Sequence, residues 1–259
     1  FGLNRRWVWG WDALLISDKT YYQDYPVKSF TRDPLNPCMN TQMQGVSQLY
    51  LVGRGSRSYF DARAVSYYGF SEYDDQKQLP VVHPVIDYTY VVGQPVLGGE
   101  LGFRFNLTSV SLNTADFDAI NPTAAALNYC GPTTADPAIK NTNNCLLRGA
   151  PGSYSRFSAE ANWKKSIIDP LGQVFTPFFS LRADVASVNL TNQPGVSNFI
   201  ETSDSAQFRG MPVAGLEYRY PLINVQSWGS TTVEPIAQVI LRPDESKIGK
   251  FPNEDAQSF

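Results

Sequence analysis

Histidine occurs once in these 259 residues, at His83, and cysteine only three times. One imidazole cannot supply a His-based metal set, and the cysteines show no metal-ligand spacing. No G-x-S-x-G turn and no glycine-rich phosphate loop is present. His83 stands in V-V-H-P-V, where Pro84 marks a strand start, and no adjacent residue offers itself as a catalytic partner. Basic excess is also missing: Lys and Arg number 21 against 24 Asp and Glu, a net charge of -3. With no Lys/Arg-rich run, the electrostatic footprint of a nucleic-acid binder is excluded. No window approaches eighteen consecutive apolar residues, which excludes a transmembrane helix. The mean hydropathy of -0.26 is that of a soluble protein. A membrane-spanning sheet gives the same average, because its lipid-facing and lumen-facing residues alternate and cancel.

Aromatic residues make up 13%, with Phe and Tyr dominant. The most informative stretch runs from Val174 to Asn189. Phe175, Pro177, Phe179, Leu181, Ala183 and Val185 share one parity, and Thr176, Phe178, Ser180, Arg182, Asp184 and Ala186 share the other. A strand puts alternate residues on opposite faces. The run is far longer than the usual strand of about five or six residues. One apolar and one charged face over that length predict a wall between lipid and a watery lumen. Trp7, Trp9 and Trp11 repeat at spacing two, again the period of a strand, and Trp also populates membrane-interface girdles.

Nine strands are predicted on this pattern: 4–16, 46–52, 58–70, 81–92, 97–111, 153–167, 174–189, 208–220 and 231–241. The facing of 46–52 is ambiguous. Connections alternate strictly between long (17–45, 71–80, 112–152, 190–207) and short (near Gly55, Gln94, Leu171 and Ser227). Outer-membrane barrels have short periplasmic turns and long extracellular loops. A soluble sandwich has no reason to sort its loops by parity. The expected fold is therefore all-β: an antiparallel, up-and-down transmembrane β-barrel wall. Several strands exceed the roughly nine to eleven residues needed to cross at a tilt, which favours a tall barrel. The chain opens at Phe1 without a secretory signal and ends in N-E-D-A-Q-S-F, so the expectation is an internal section of a larger barrel.

Charges on the second parity form a candidate lumen lining: Arg6, Asp61, Arg63, Glu100, Arg104, Arg156, Arg182, Asp184, Glu217 and Arg219. The plain account is that opposite signs neutralise each other along and across strands. The sharper one is contact with a plug protein or a charged, phosphate-bearing ligand. Cys130 and Cys145 lie fifteen positions apart in one long loop. In an oxidising compartment they are expected to pair, a closure worth up to about 3 kcal/mol in the chain-entropy model. Cys38 is left over.

A family resemblance rests on connected runs: R-W-V-W-G-W-D-A-L-L-I-S-D-K-T-Y-Y-Q-D-Y (6–25), G-R-G-S-R-S-Y-F-D-A-R (53–63), P-V-I-D-Y-T-Y (84–90) and V-L-G-G-E-L-G-F (96–103). Y-S-R-F-S-A-E-A-N-W (154–163), D-P-L-G-Q-V-F-T-P-F (169–178), V-A-G-L-E-Y-R-Y-P (213–221), V-E-P-I-A-Q (233–238) and P-N-E-D-A-Q-S (252–258) continue it. In this order they resemble the LPS-assembly outer-membrane protein family LptD, also called the organic solvent tolerance proteins, in its alphaproteobacterial form. The resemblance implies a barrel of roughly 26 strands with an N-terminal periplasmic jelly-roll domain, and residues 1–259 as a central part of that barrel, lacking the jelly-roll domain and the closing strands. It implies a non-enzymatic translocon in the outer membrane of a Gram-negative bacterium, without a cofactor. That translocon delivers lipopolysaccharide to the outer leaflet. Its implied partners are lipopolysaccharide, an LptE-type lipoprotein plug, periplasmic Lpt bridge proteins and the lipids of the outer membrane.

Other classes remain to be weighed. A general outer-membrane porin or substrate channel would carry an inward constriction loop with segregated charges, whereas loop 112–152 is mainly neutral. A secreted β-sandwich would pack the Trp7/Trp9/Trp11 and Phe175/Phe179/Leu181 faces together. An outer-membrane hydrolase is limited by the single histidine.

Overall fold

The computed structural model describes residues 2, 4–14, 16–24, 44–71, 74–120, 123, 145–196 and 206–244. The wall begins with β1 (Trp7–Asp12), β2 (Gln44–Arg54), β3 (Ser58–Gly69), β4 (Val81–Val91) and β5 (Glu100–Leu112). Two short strands, β6 (Asp116–Ala119) and β7 (Cys145–Arg148), form a hairpin of their own above it. The wall resumes with β8 (Gly152–Lys164), then the two-residue β9 (Ile167–Ile168), β10 (Val174–Leu190) and β11 (Ala206–Arg219). A second hairpin, β12 (Leu222–Gln226) with β13 (Gly229–Val233), precedes β14 (Ile236–Leu241). The sheet order is β1-β2-β3-β4-β5-β8-β10-β11-β14, with β9 paired to β10. Every neighbouring pair is antiparallel.

The nine runs expected from the alternation are the nine strands of this path. The meander is open: among the described residues, β1 and β14 each pair on one side only. Three details differ from expectation. The first strand is shorter, Trp7–Asp12 rather than 4–16. Loop 112–152 contains the β6–β7 hairpin. The turn expected at 224–230 is instead a hairpin that takes residues 231–233 out of the last wall strand. Pro221 and Pro235 explain that division, since proline has no N–H to give to the ladder.

Register fixes the two faces. On one, Trp9 lies opposite Leu51 and Leu51 opposite Ala62, and Ala62 faces Ile86 and Ile86 faces Leu107. Leu107 then meets Phe157, Phe157 meets Val185, and Val185 meets Phe208. This apolar row crosses eight strands without a charge, and it assigns Leu49 and Leu51 of the ambiguous run to the lipid side. Its side chains stay open to the surroundings: Leu181, Val185 and Phe208 are each nearly half exposed or more. Stacked rings knit it together, with Phe105 lying 6.2 Å from Tyr88, 6.4 Å from Phe103 and 6.4 Å from Phe157. At the short-turn end, Trp7 meets Phe60 at 5.6 Å and Phe175 meets Tyr218 at 5.2 Å. There the Trp163 indole donates to the Val96 carbonyl at 2.8 Å. Such rings, apolar in body and polar at the tip, suit the level of lipid headgroups.

Two local devices keep the register. At His83–Pro84 the partners of β4 shift by one residue on both sides, against β3 and against β5. A bulge of this kind places one residue outside the ladder and increases twist. On the inner face, Tyr50 covers Gly10 and Phe178 covers Gly215, each ring occupying the space a Cβ would need. A substitution at either glycine would push the aromatic ring off the sheet.

The apolar row predicts a sharp asymmetry between adjacent residues of β10. Leu181→Arg, facing lipid near the middle of the strand, is expected to cost about 2–4 kcal/mol. Ser180→Arg, on the opposite face, is expected to cost under about 1 kcal/mol, the range for a substitution away from packing. Guanidinium titration of the full-length protein in phospholipid vesicles, read by heat-modifiable gel mobility, checks the pair.

Candidate functional site

The second face carries the charges. One row runs Asp61, Asp87, Asn106, Ser158, Asp184 and Arg209 from β3 to β11. The row on the short-turn side runs Tyr59, Thr89, Arg104, Glu160, Arg182 and Met211, and the row on the long-loop side includes Arg63, Thr108 and Arg156. The three rows make a band of carboxylates and guanidiniums across the middle of the wall.

Asp184 is its most enclosed member, at 1% exposure. Its Oδ1 accepts from Ser158 Oγ at 2.5 Å and from Arg182 Nε at 2.9 Å. Its Oδ2 accepts from Arg209 Nε at 2.8 Å and Nη2 at 2.7 Å. One carboxylate thus holds two guanidiniums. Asp61 is served similarly by Arg63, at 2.8 and 2.9 Å, and by the Tyr59 hydroxyl at 2.8 Å. Both pairs join residues two apart on one strand, where side chains share a face. Asn106 donates to Asp87 at 2.8 Å. Such hydrogen bonds and opposite charges are what allow carboxylates to be withdrawn from water.

The expected residues divide as follows. Asp61 with Arg63, Arg182 with Asp184, and Glu217 with Arg219 (3.2 Å) are ion pairs. Glu100 pairs with Lys164 across the strands at 3.3 Å instead of with Arg104. Arg104 is exposed and makes no ion pair among the described residues, although Glu160 is its ladder partner. Arg156 sits in the band beside Thr108 and Ala186. Arg6 is exposed just ahead of β1, and its carbonyl accepts from the Arg54 N–H at 2.8 Å. Arg209, second residue of the strand expected at 208–220, is not among the charges expected from the sequence. The signal available was its alternation with Phe208 and Gly210.

At the long-loop end, connecting segments fold over this face. The Gln193 side-chain amide accepts from the Ala115 N–H at 2.7 Å and donates to the Ala115 carbonyl at 3.0 Å. Thr191 N–H donates to the Pro151 carbonyl at 2.9 Å. Ala115, Val196 and Ala186 are buried beneath. In the β6–β7 hairpin, Arg148 pairs with Asp118. Cys145 is disulfide-bonded. Cys130 and Cys38, its two possible partners in the chain, both lie outside the described residues.

A long antiparallel meander with one uncharged apolar face, one charged face and loops sorted by length is the wall of an outer-membrane β-barrel. Among the described residues no three His, Cys, Asp or Glu side chains are grouped to hold a metal ion. The chain belongs to the LptD family, LPS transport system D, whose model matches residues 1–259. No curated protein matches the chain. LptD proteins are non-enzymatic outer-membrane β-barrels of Gram-negative bacteria that transport lipopolysaccharide and insert it into the outer membrane. The substrate is therefore lipopolysaccharide.

The band predicts a hierarchy of carboxylates. Asp184→Ala leaves two guanidiniums facing each other in an enclosed site and is expected to destabilise the wall by about 3–5 kcal/mol. Glu217→Ala, whose pair is open to solvent, should cost no more than about 1 kcal/mol. The same unfolding titration ranks them, and the order Asp184, Asp61, Glu217 is the expected result.

Proposed function

We propose that residues 1–259 form the central part of an LptD barrel, in the alphaproteobacterial form of the family, with the charged face lining the lumen. The short turns then lie on the periplasmic side and the long loops outside. The jelly-roll domain and the barrel-closing strands belong to other parts of the full-length protein. An LptE-type lipoprotein occupies the lumen, and periplasmic Lpt bridge proteins deliver the lipid through the jelly-roll domain.

The observation that carries this reading is Arg104, a guanidinium on the charged face that is exposed and makes no ion pair among the described residues. Arg156, Arg182 and Arg209 share the band with it, beside Glu160 and Asp184. A lipid with an anionic sugar head needs a hydrated, cationic path for that head and an apolar one for its tails. Guanidinium groups meet phosphate and sugar acids through paired N–H donors. Arg104, exposed and without an ion pair, and Arg182, shared with Arg209 on one carboxylate, are the side chains best placed for it. The lumen contacts expected at Arg6, Arg63 and Arg219 are weaker candidates. Arg63 and Arg219 each have their own carboxylate.

Three measurements test the reading. Single cysteines in the full-length protein, otherwise freed of cysteine, should react with an impermeant thiol reagent on whole cells at Lys77 and Asn192 and not at Gln94 or Leu171. Equal labelling at all four would remove the orientation. Arg104→Glu should lower arrival of lipopolysaccharide at the surface about tenfold, the effect of losing one charge-assisted contact of about 1.4 kcal/mol, at an unchanged barrel level. An unaltered rate would take Arg104 off the path. Non-reducing peptide mapping is expected to recover a Cys130–Cys145 peptide, and a Cys38–Cys145 peptide would replace that pairing.

A further inference from the structure

The lipid-side parity does not stay apolar to the outer end of the strands. On β10 it reads Phe175, Pro177, Phe179, Leu181, Ala183 and Val185, and then Ser187 and Asn189. Ser187 lies opposite Ser155, and Ser155 opposite Ser109. One step further out, Asn189 lies opposite Ser153, and Ser153 opposite Ser111. These six are all the residues that β5, β8 and β10 place on this face beyond the row of Leu107, Phe157 and Val185. None is charged, and none is apolar. Ala206 of β11 borders them on one side; Val81, Ser66 and the bulge at His83–Pro84 border them on the other.

Length places this patch relative to the membrane. Phe175 and Val185 are ten residues apart, which is about 33 Å along a strand. At a tilt of about 40° that covers about 25 Å of bilayer, the height of the apolar band of an outer-membrane barrel. The hydrocarbon therefore ends at the row of Leu107, Phe157 and Val185, and the patch stands just above it, level with the headgroups of the outer leaflet. Ser109 and Ser155 hydrogen bond to each other at 2.9 Å. Ser111, Ser153, Ser187 and Asn189 make no side-chain hydrogen bond among the described residues. Ser153, Ser187 and Asn189 are exposed. Hydroxyls and carboxamides both donate and accept, as sugar hydroxyls do. Direct capture of a phosphate calls for a cation, a divalent bridge to one calls for carboxylates, and the centre of a protein interface calls for apolar or aromatic anchors. The six side chains supply none of these. The glycolipid that this family inserts into the outer membrane carries a saccharide at that level.

We propose that this outward patch is a binding surface for the saccharide of lipopolysaccharide already resident in the outer leaflet, held by uncharged hydrogen bonds. The proposal rests on the barrel reading above and adds a contact on the side of the sheet away from the charged band. Photo-crosslinking tests it. The full-length protein carries p-benzoylphenylalanine in place of Ala206, beside the patch, or of Gln207, on the lumen side, together with the Leu171→Cys orientation marker. The outer membrane is extracted into mild detergent before illumination, so that only lipid held by the protein is reported. The expected result is a lipopolysaccharide adduct from position 206 that exceeds the one from 207 and survives chelation of divalent cations. Ser153→Ala with Ser187→Ala and Asn189→Ala should lower that adduct at least about tenfold, the equivalent of about 1.4 kcal/mol, at an unchanged barrel level. An equal adduct in the triple variant, equal adducts from 206 and 207, loss on chelation, or a phospholipid or protein adduct in its place would each overturn the proposal. If Leu171→Cys is labelled from outside the cell, the barrel orientation fails. If it stays protected while the adduct at 206 is absent, the saccharide contact alone fails.

Discussion

Everything in this wall depends on the backbone ladder. In hydrocarbon no water is present to satisfy a stray N–H or carbonyl, so each strand must find its partners in its neighbours. The meander does this over eight consecutive antiparallel junctions. The ladder also decides chemistry, because a slip of one residue would send a strand's inward charges into lipid and its lipid-facing aromatics into the lumen. The devices at His83–Pro84, Gly10 and Gly215 matter for that reason. The bulge absorbs a proline without exchanging the faces, and the two aromatic-covered glycines let large side chains lie flat on the sheet.

The inner face combines two needs that oppose each other. Carboxylates withdrawn from water require partners; Asp61 finds them within its own strand, and Asp184 within its own strand and both neighbours. Transport of an anionic head requires cationic groups that are not fully neutralised. In the band two guanidiniums serve Asp184, and Glu100 turns to Lys164 rather than to Arg104. Local pairing stabilises the wall and leaves Arg104, without an ion pair among the described residues, as the cation proposed above for the anionic head.

Much of this was legible in the sequence because period two is a direct image of a strand's two faces. Val174–Asn189 and Ser153–Ile167 announce both their faces and their length, and the alternation of long and short connections orders the strands. What was not legible depended on pairing across strands. Whether Glu100 meets Arg104 or Lys164 is a matter of register between β5 and β8, which no single strand records. The facing of Val46–Val52 became definite only through its partners in β1 and β3. At Asn224–Ser230, Gly, Ser and Asn read as a turn, but the ladder had already been propagated past Pro221 and Pro235. Tertiary continuity overrode local composition there. The covering of the inner face by Ala115, Gln193 and Val196 leaves no periodic trace at all.

The clasp between Gln193 and Ala115 has a consequence for how such a chain can vary. Its two residues stand 78 positions apart, and the adjacent Thr191–Pro151 bond ties a second point of the same connection. An insertion or deletion within 112–119, 145–151 or 190–196 would carry one half of a clasp away from the other and uncover Ala186 beside Asp184. A change of length at this end of the wall is therefore expected to be tolerated only outside those three segments. The rim of the wall keeps a fixed outline while the chain between its anchors is free to diversify.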